Sequence, residues 1–411
     1  MRNKREYILT IVLASAYVVL AFDAPIGLGI TSNRIGFALL MIGFIVHGRV
    51  PRVIGVQRSL LILSLFILTL TVGCLSASFL FSRHGTLATV SPIVSILMIA
   101  AAFVAGFVLS HKLSSYGWNV FFNIVATANA LLAGGLIAFI VSQTGVEGLL
   151  NQFAVRSNLD QVGSGLNRTM NGVVILNLFS CAIALGVIKR TWRIRVVAVI
   201  GLVGTLLLTV LSGSRQSLVA IIVMVLIYVF TGRTSKSSRL KVAASLIVPA
   251  LMAFALVKYL QLDILIEQRF VPTFVEGDIS GSDESRLRVV SNGLEYVYAS
   301  PWLGLGPGVF PKLEGMYPHN GHLSLAVDGG IPLLIAWWLV ICIILYSIWT
   351  YDSRQGINYA SVDRLFPIVI FLIVLVMSIF NDLLRDYILW LTIAFGIARL
   401  NGSRQLGVGQ G

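Results

Sequence analysis

Residues 91–110, SPIVSILMIAAAFVAGFVLS, decide how the whole chain is read, because the stretch is apolar throughout and carries no charge. An α-helix rises about 1.5 Å per residue, so the run is about 30 Å long, the thickness of a bilayer's hydrocarbon core. Pro92 stands in the first turn, where a missing N–H is harmless, and His111-Lys112 end the run with polar groups. The stretch predicts a membrane-spanning helix.

Outward from it the pattern repeats. Similar runs fall at approximately 7–22, 33–48, 59–81, 91–110, 117–141, 171–188, 196–212, 215–230, 241–260, 331–349, 365–381 and 386–400, twelve in all. Across the 411 residues 57% are hydrophobic and 11% charged, against roughly 25% charged in a soluble domain. That composition excludes a soluble multidomain enzyme, a disordered chain and a secreted disulfide scaffold. Cys74, Cys181 and Cys342 each sit inside an apolar run, where a thiol behaves as a small hydrophobe, so neither a disulfide nor a metal site is expected. The predicted fold is all-α: one polytopic membrane domain over 1–411, with about twelve transmembrane helices. The first run follows Arg2, Lys4 and Arg5, and Ala21-Phe22-Asp23 offers no small-residue cleavage site, so it reads as a retained anchor.

The net charge of +13, from 30 basic and 17 acidic residues, does not gather on a soluble face, and nucleic acid is not an expected partner. It orients the chain instead. With the N-terminus in the cytoplasm, 19 basic residues face 3 acidic ones on short inner loops, while 11 face 14 on the longer outer segments. This predicts both termini in the cytoplasm, with the working face outward. Two outer segments are long enough to hold function, a smaller one at 142–170 and a large loop at 261–330. Within the larger, Ser282 reads as an N-cap, and Leu287, Val290, Leu294 and Val297 recur at helical spacing until Pro301, predicting an amphipathic helix on the outer membrane interface.

Arginine is rare on outer segments, so each one there needs a reason. Arg215 lies in Ser212-Gly213-Ser214-Arg215, a turn between two apolar runs, where Ser214 can cap the next helix and its N-terminus forms an anion site. Arg286 and Arg288 open the amphipathic helix, and Arg168 sits where the 142–170 loop re-enters the membrane. Snorkelling to headgroup phosphates is the alternative for each. His319 and Asn320 occur in Tyr317-Pro318-His319-Asn320-Gly321-His322, just before the tenth span, and an imidazole at a helix start is favoured neutral, as a general base must be. His322 stands one turn on, but no third ligand completes a zinc set. Gly304-Leu305-Gly306-Pro307-Gly308 lacks the ending of a phosphate loop and reads as a tight turn. Asp278, Asp283 and Glu284 lack calcium-loop spacing and read as a solvated loop.

In this order the segments resemble the O-antigen ligase and polymerase superfamily. Ser212-Gly213-Ser214-Arg215 is similar to its Gly-Ser-Arg turn. Ser285-Arg286, followed by Pro301 and Gly304-Leu305-Gly306, is similar to its long-loop signature, and Pro318-His319-Asn320 with Leu323, Asp328 and Gly330 to its His-Asn-x-x-Leu helix. Asp328 departs from the Glu more usual in the family and receives no catalytic role.

The resemblance implies an inverting glycosyltransferase whose partners are a polyprenyl-diphosphate-linked glycan donor, a lipid A-core or glycan acceptor, and membrane lipids. It implies Arg215 and Arg286 on the diphosphate, Arg168 and Arg288 binding the donor, His319 taking the acceptor proton and Asn320 orienting it. No Asp-x-Asp occurs in an outer segment, so no metal or cofactor is expected, and guanidinium groups stand in its place. A ligase is favoured, by the Leu166-Asn167-Arg168 setting, over a repeat-unit polymerase. A lipid-linked sugar flippase is disfavoured by spans nearly free of charge.

Overall fold

The computed structural model describes residues 2–21, 25–27, 30–47, 56–82, 85–148, 281–318 and 320–354, with further helical residues between 196 and 208, 251 and 258, and 390 and 398. Five helices open the chain: α1 (Arg2–Ala21), α2 (Ser32–His47), α3 (Val56–Phe81), α4 (Ser91–Ser110) and α5 (Ser115–Gly148). Three more follow, α6 (Gly281–Ala299), α7 (Phe310–Glu314) and α8 (Gly321–Arg354). Among the described residues, three helical stretches are long and apolar enough to cross a membrane: Ser91–Ser110, Tyr116–Phe139 and Gly321–Leu339. Shorter apolar stretches occur at Arg34–His47, Thr69–Phe81 and Val199–Leu208.

The helical expectation needs one correction. Between α1 and α2 the chain forms a two-stranded antiparallel ribbon, β1 (Pro25–Gly27) and β2 (Ile30–Thr31), where a turn too short for another helix pairs its own backbone. Boundaries also move. α1 begins at Arg2 rather than residue 7, because a helix continues past the bilayer wherever its backbone bonds are not interrupted. α5 runs on to Gly148 with a break at Gly145 (φ 67°), so the first residues of the 142–170 segment are helical.

Close contacts fix the directions of these helices. A Cβ on Gly36 would stand 2.6 Å from Leu20 N, and one on Gly43 3.1 Å from Val12 Cγ1, so α1 and α2 pack as an antiparallel pair. A Cβ on Gly117 would meet Glu6 Oε1 at 2.7 Å and Thr10 Oγ1 at 3.2 Å, which puts the N-termini of α1 and α5 at the same end. There Glu6 Oε1 accepts from Ser114 N at 2.7 Å and from Ser114 Oγ, and Lys112 Nζ donates to His47 O. All of these belong to segments that the charge pattern places inside. Aromatic rings fill the interior, with Trp337 and Trp390 crossing at 4.6 Å and Phe103 meeting Trp390 at 6.2 Å, so α8 is joined to α4 through Trp390.

The opposite end is the turn between α3 and α4, residues 82–90, and α8 packs along α3 beneath it. α8 is not one straight rod. Gly330 has φ 75° and ψ −176°, a conformation outside the helix, and Pro332 follows in the first turn of the new helix. The break falls where the apolar run starting at residue 331 was expected to begin, and the Gly321–Gly329 portion stands as a separate short helix before it.

Candidate active site

The candidate residues that the structure describes, Arg286, Arg288 and Asn320, belong to α6 and the start of α8. One face of α6 is buried: Val289 is 2% exposed and clusters with Leu305, Val309, Phe310, Leu323 and Val327, with Tyr296 and Val297 packed alongside. The expected apolar stripe is therefore split. Val290 and Val297 lean on this core, but Leu287 is 56% and Leu294 53% exposed, on the opposite side of the helix. Gly293 is the cause, since its missing side chain lets Leu323 come so near that a Cβ would stand 2.9 Å from Leu323 Cδ2, drawing α6 round by that face. Ser282 lies inside the first turn of α6, which starts at Gly281, so it is not the cap.

Two constraints give α6 and α8 a common direction. Gly293 faces Leu323, and Ile331 N donates to Pro301 O at 2.7 Å, both pairs being thirty residues apart. The two segments run side by side in parallel. Arg286 stands seven residues before Gly293, hence on the same face of α6. Arg288 lies two residues on and is exposed.

His319 itself, Arg215 and Arg168 lie outside the described residues. The neighbours of His319 are firmly held. Asn320 Oδ1 accepts from Leu323 N at 3.0 Å and Asn320 O from Ser324 N at 2.9 Å, the bonding of a helix N-cap, while Ser324 Oγ donates back to Pro318 O at 3.2 Å. The side-chain oxygen of Asn320 is thus engaged by α8, leaving its amide nitrogen as the part that can face a substrate. His322, one turn along, stacks on Trp338 with ring centroids 5.2 Å apart.

The glycine turn 304–308 fastens these helices to the first half of the chain. Gly304 N donates to Ser300 O at 2.9 Å, Leu305 N to Val327 O at 2.7 Å and Thr89 N to Pro307 O at 2.9 Å. Gly304, Gly306 and Gly308 all have positive φ, confirming a turn that only glycine makes without strain. The buried Asp328 accepts from Gly308 N at 3.2 Å through Oδ1, and Ser78 Oγ of α3 donates to Asp328 O at 2.7 Å and also to Leu303 O.

α7 closes the assembly from outside. Glu314 accepts from Asn292 Nδ2 at 2.8 Å and from the Tyr296 hydroxyl at 3.1 Å, and Lys312 Nζ donates to Leu87 O at 2.8 Å. Partial burial first, then the hydrogen bond to Glu314 and the charges of Glu314 and Glu295, push the Tyr296 phenol above its ordinary range, so it stays a donor.

Sequence reasoning missed Ser78, Thr89, Asn292 and Glu314. Nothing in the sequence sets Ser78 apart, because Ser64, Thr69, Thr71 and Ser76 stand in the same span.

Three described helices are long and apolar enough to cross a membrane, and the described candidate residues gather at one end of them. Residues 200–338 match the family model described as O-antigen ligase. The match supports a function of the O-antigen ligase/polymerase type in general terms. No curated protein matches the chain. Arg215, Arg286, Arg288, His319 and Asn320 fall inside the matched stretch and Arg168 outside it.

Proposed function

We propose that this chain moves a glycan from a polyprenyl diphosphate carrier to an acceptor at the periplasmic face of a bacterial inner membrane, as a ligase acting on lipid A-core. The observation that carries this reading is the parallel pairing of α6 with the start of α8. It holds α6, the helix that carries Arg286 and Arg288, along the first half of α8, the helix that follows His319-Asn320 in the chain, and both lie in the stretch 200–338 that matches the O-antigen ligase model.

A diphosphate is already a good leaving group, so the protein has two tasks: to neutralise the charge that grows on it and to deprotonate the incoming hydroxyl. Arg286 and Arg215 take the first task, their planar guanidinium groups matching phosphate oxygens in pairs, with Arg288 and Arg168 holding the rest of the donor. The neutral ring of His319 accepts the acceptor's hydroxyl proton, and the amide of Asn320 orients that acceptor. The new C–O bond forms on the face of the anomeric carbon opposite the departing diphosphate, so the configuration inverts. Arginine takes the place of a metal, and the reaction runs without one.

Sidedness follows from charge. The loops tied together by Glu6, Ser114, Lys112 and His47 belong to the basic, inner set, and the glycine turn lies at the other end. Alkaline phosphatase fused after Lys312 should therefore be active, and one fused after Arg239 inactive.

The decisive experiment is transfer by purified protein in excess chelator, with a defined polyprenyl-diphosphate glycan offered to lipid A-core and, separately, to a second lipid-linked glycan. Product on lipid A-core supports the ligase, and product only on the lipid-linked glycan makes the chain a polymerase. Arg286→Lys keeps the charge but loses the planar fork and should lower the rate roughly tenfold. His319→Ala should lower it by about a hundredfold. Loss of transfer in chelator, restored by magnesium, overturns the metal-free scheme, and near-native rates in both variants overturn the assignment of the site.

A further inference from the structure

Asp328 is a carboxylate with no exposed surface, so neither donor nor acceptor can reach it, and it takes no direct part in the reaction. Yet it stands where three segments meet. Its Oδ1 holds Gly308 N, its carbonyl oxygen takes the Ser78 hydroxyl, and Val327 O beside it takes Leu305 N. Two of these bonds tie the glycine turn that follows α6 to the helix that follows His319, and the third ties α3 to that same helix. The glycine turn has no room to move aside, because a Cβ on Gly304 would strike Val327 O and one on Gly330 would stand 2.6 Å from Trp302 O.

We infer that Asp328 is a positioning residue for transfer, with Ser78 as its support: together they fix the distance between the Arg286 face of α6 and the His319 end of α8. This rests on the reading of Arg286 and His319 given above. The physical argument is that the reaction needs a phosphate clamp and a base at one spacing, and that spacing is set by the turn connecting their helices. A misplacement of about 1 Å at reacting groups can cost about a hundredfold in rate, with little change in the affinity for a substrate whose contacts survive.

The test uses the full-length protein in detergent or nanodiscs, and compares Asp328→Ala, Asp328→Asn and Ser78→Ala in kcat and in KM for the lipid-linked donor. Asp328→Ala should lower kcat about thirtyfold or more with the donor KM within about threefold. Asp328→Asn keeps an oxygen to accept Gly308 N–H, and should recover kcat to within about fivefold of the parent. Ser78→Ala, which leaves the carboxylate in place, should lower kcat by about three- to tenfold, again without moving KM. Equal losses for the Asn and Ala variants would mean that the charge, not the accepted hydrogen bond, matters, and would overturn the proposal. A rise in KM with kcat unchanged, or no effect at either position, would overturn it too. If Asp328→Ala does not accumulate, the Asn and Ser78 variants decide by the same criteria. Arg286→Ala and His319→Ala run alongside: transfer surviving in those two sinks the underlying site, whereas the Asn-versus-Ala pattern at position 328 speaks to positioning alone.

Discussion

The two ends of the helix bundle are fastened in different ways. At one end side chains do the tying: Glu6 reaches across to Ser114 at the start of α5, and Lys112 to the last carbonyl of α2. At the other end the backbone does most of it, with Leu305, Thr89 and Ile331 donating N–H groups to carbonyls of distant segments and glycines at each crossing. Side chains on a surface can reorient, and a lost contact is partly replaced by water. A backbone-to-backbone junction has no such freedom. The first end holds the bundle together; the second fixes distances, and it is the end that carries the candidate site.

That contrast is easiest to break at glycine. Gly304 and Gly315 both have positive φ, 63° and 79°, and an alanine at either gives up roughly 1 kcal/mol or more of backbone strain. They differ in space. Nothing lies within 4 Å of a Cβ on Gly315, whereas one on Gly304 would meet Val327 O and stand 2.8 Å from Gly330 N, both backbone atoms. Gly304→Ala should therefore lose about 3 kcal/mol or more, seen as a large drop in melting temperature or failure to accumulate, and transfer should vanish with it. Gly315→Ala should lose about 1 kcal/mol and keep most of its transfer. Similar behaviour at the two positions would mean that the glycine junction is not tight.

The inner end offers the milder counterpart. Glu6 accepts two hydrogen bonds from Ser114, and its carboxylate sits at the N-terminus of α5, where a negative charge is favourable. Glu6→Ala should lower stability by about 1 kcal/mol, the usual worth of a cap, measured as a shift in thermal midpoint. Transfer measured well below that midpoint should stay within about twofold of the parent. A variant with normal stability but tenfold slower transfer would show that the inner clasp also governs the site, and the division of labour between the ends would fail.

How much of this was legible in the sequence follows from the same contrast. Spans are written in composition, which is why the run 91–110 matches α4 residue for residue and the break at Gly330 falls where an apolar run was read to begin. The glycine turn was legible because Gly-Leu-Gly-Pro-Gly has few other conformations. The buried face of α6 was not. Spacing alone favours Leu287, Val290, Leu294 and Val297, whereas the face that meets Leu323 at Gly293 buries Val289 and Tyr296 beside Val290 and Val297 and leaves Leu287 and Leu294 exposed. Asn320 was singled out for a substrate, yet its oxygen serves the helix, since Asn before a helix has two uses that no single sequence separates. Ser78 was invisible because its partners are carbonyls 225 and 250 residues away.

The smallest expected effect tests whether any side chain at the outer end matters as much as its backbone. Tyr296 donates to Glu314 from the rim of the buried face of α6, and the same carboxylate receives Asn292 Nδ2. Tyr296→Phe keeps the ring against Phe310 and deletes one neutral-to-charged hydrogen bond on a partly exposed group, so about 0.5–1.5 kcal/mol should be lost at pH 7. The phenol's raised value gives a second signature. Its contribution is fully present below the ordinary phenol value near 10; above it the unfolded chain releases the proton first, so stability falls as pH climbs toward the folded value. As pH rises above about 10 the parent should lose thermal stability more steeply than the Phe variant, and the gap between the two should narrow there. If the gap holds constant across that range, the hydroxyl is not what binds Glu314 to α6. If Tyr296→Phe instead costs as much as Gly304→Ala, the outer end leans on this side chain as heavily as on its backbone, and the contrast between the two ends loses its basis.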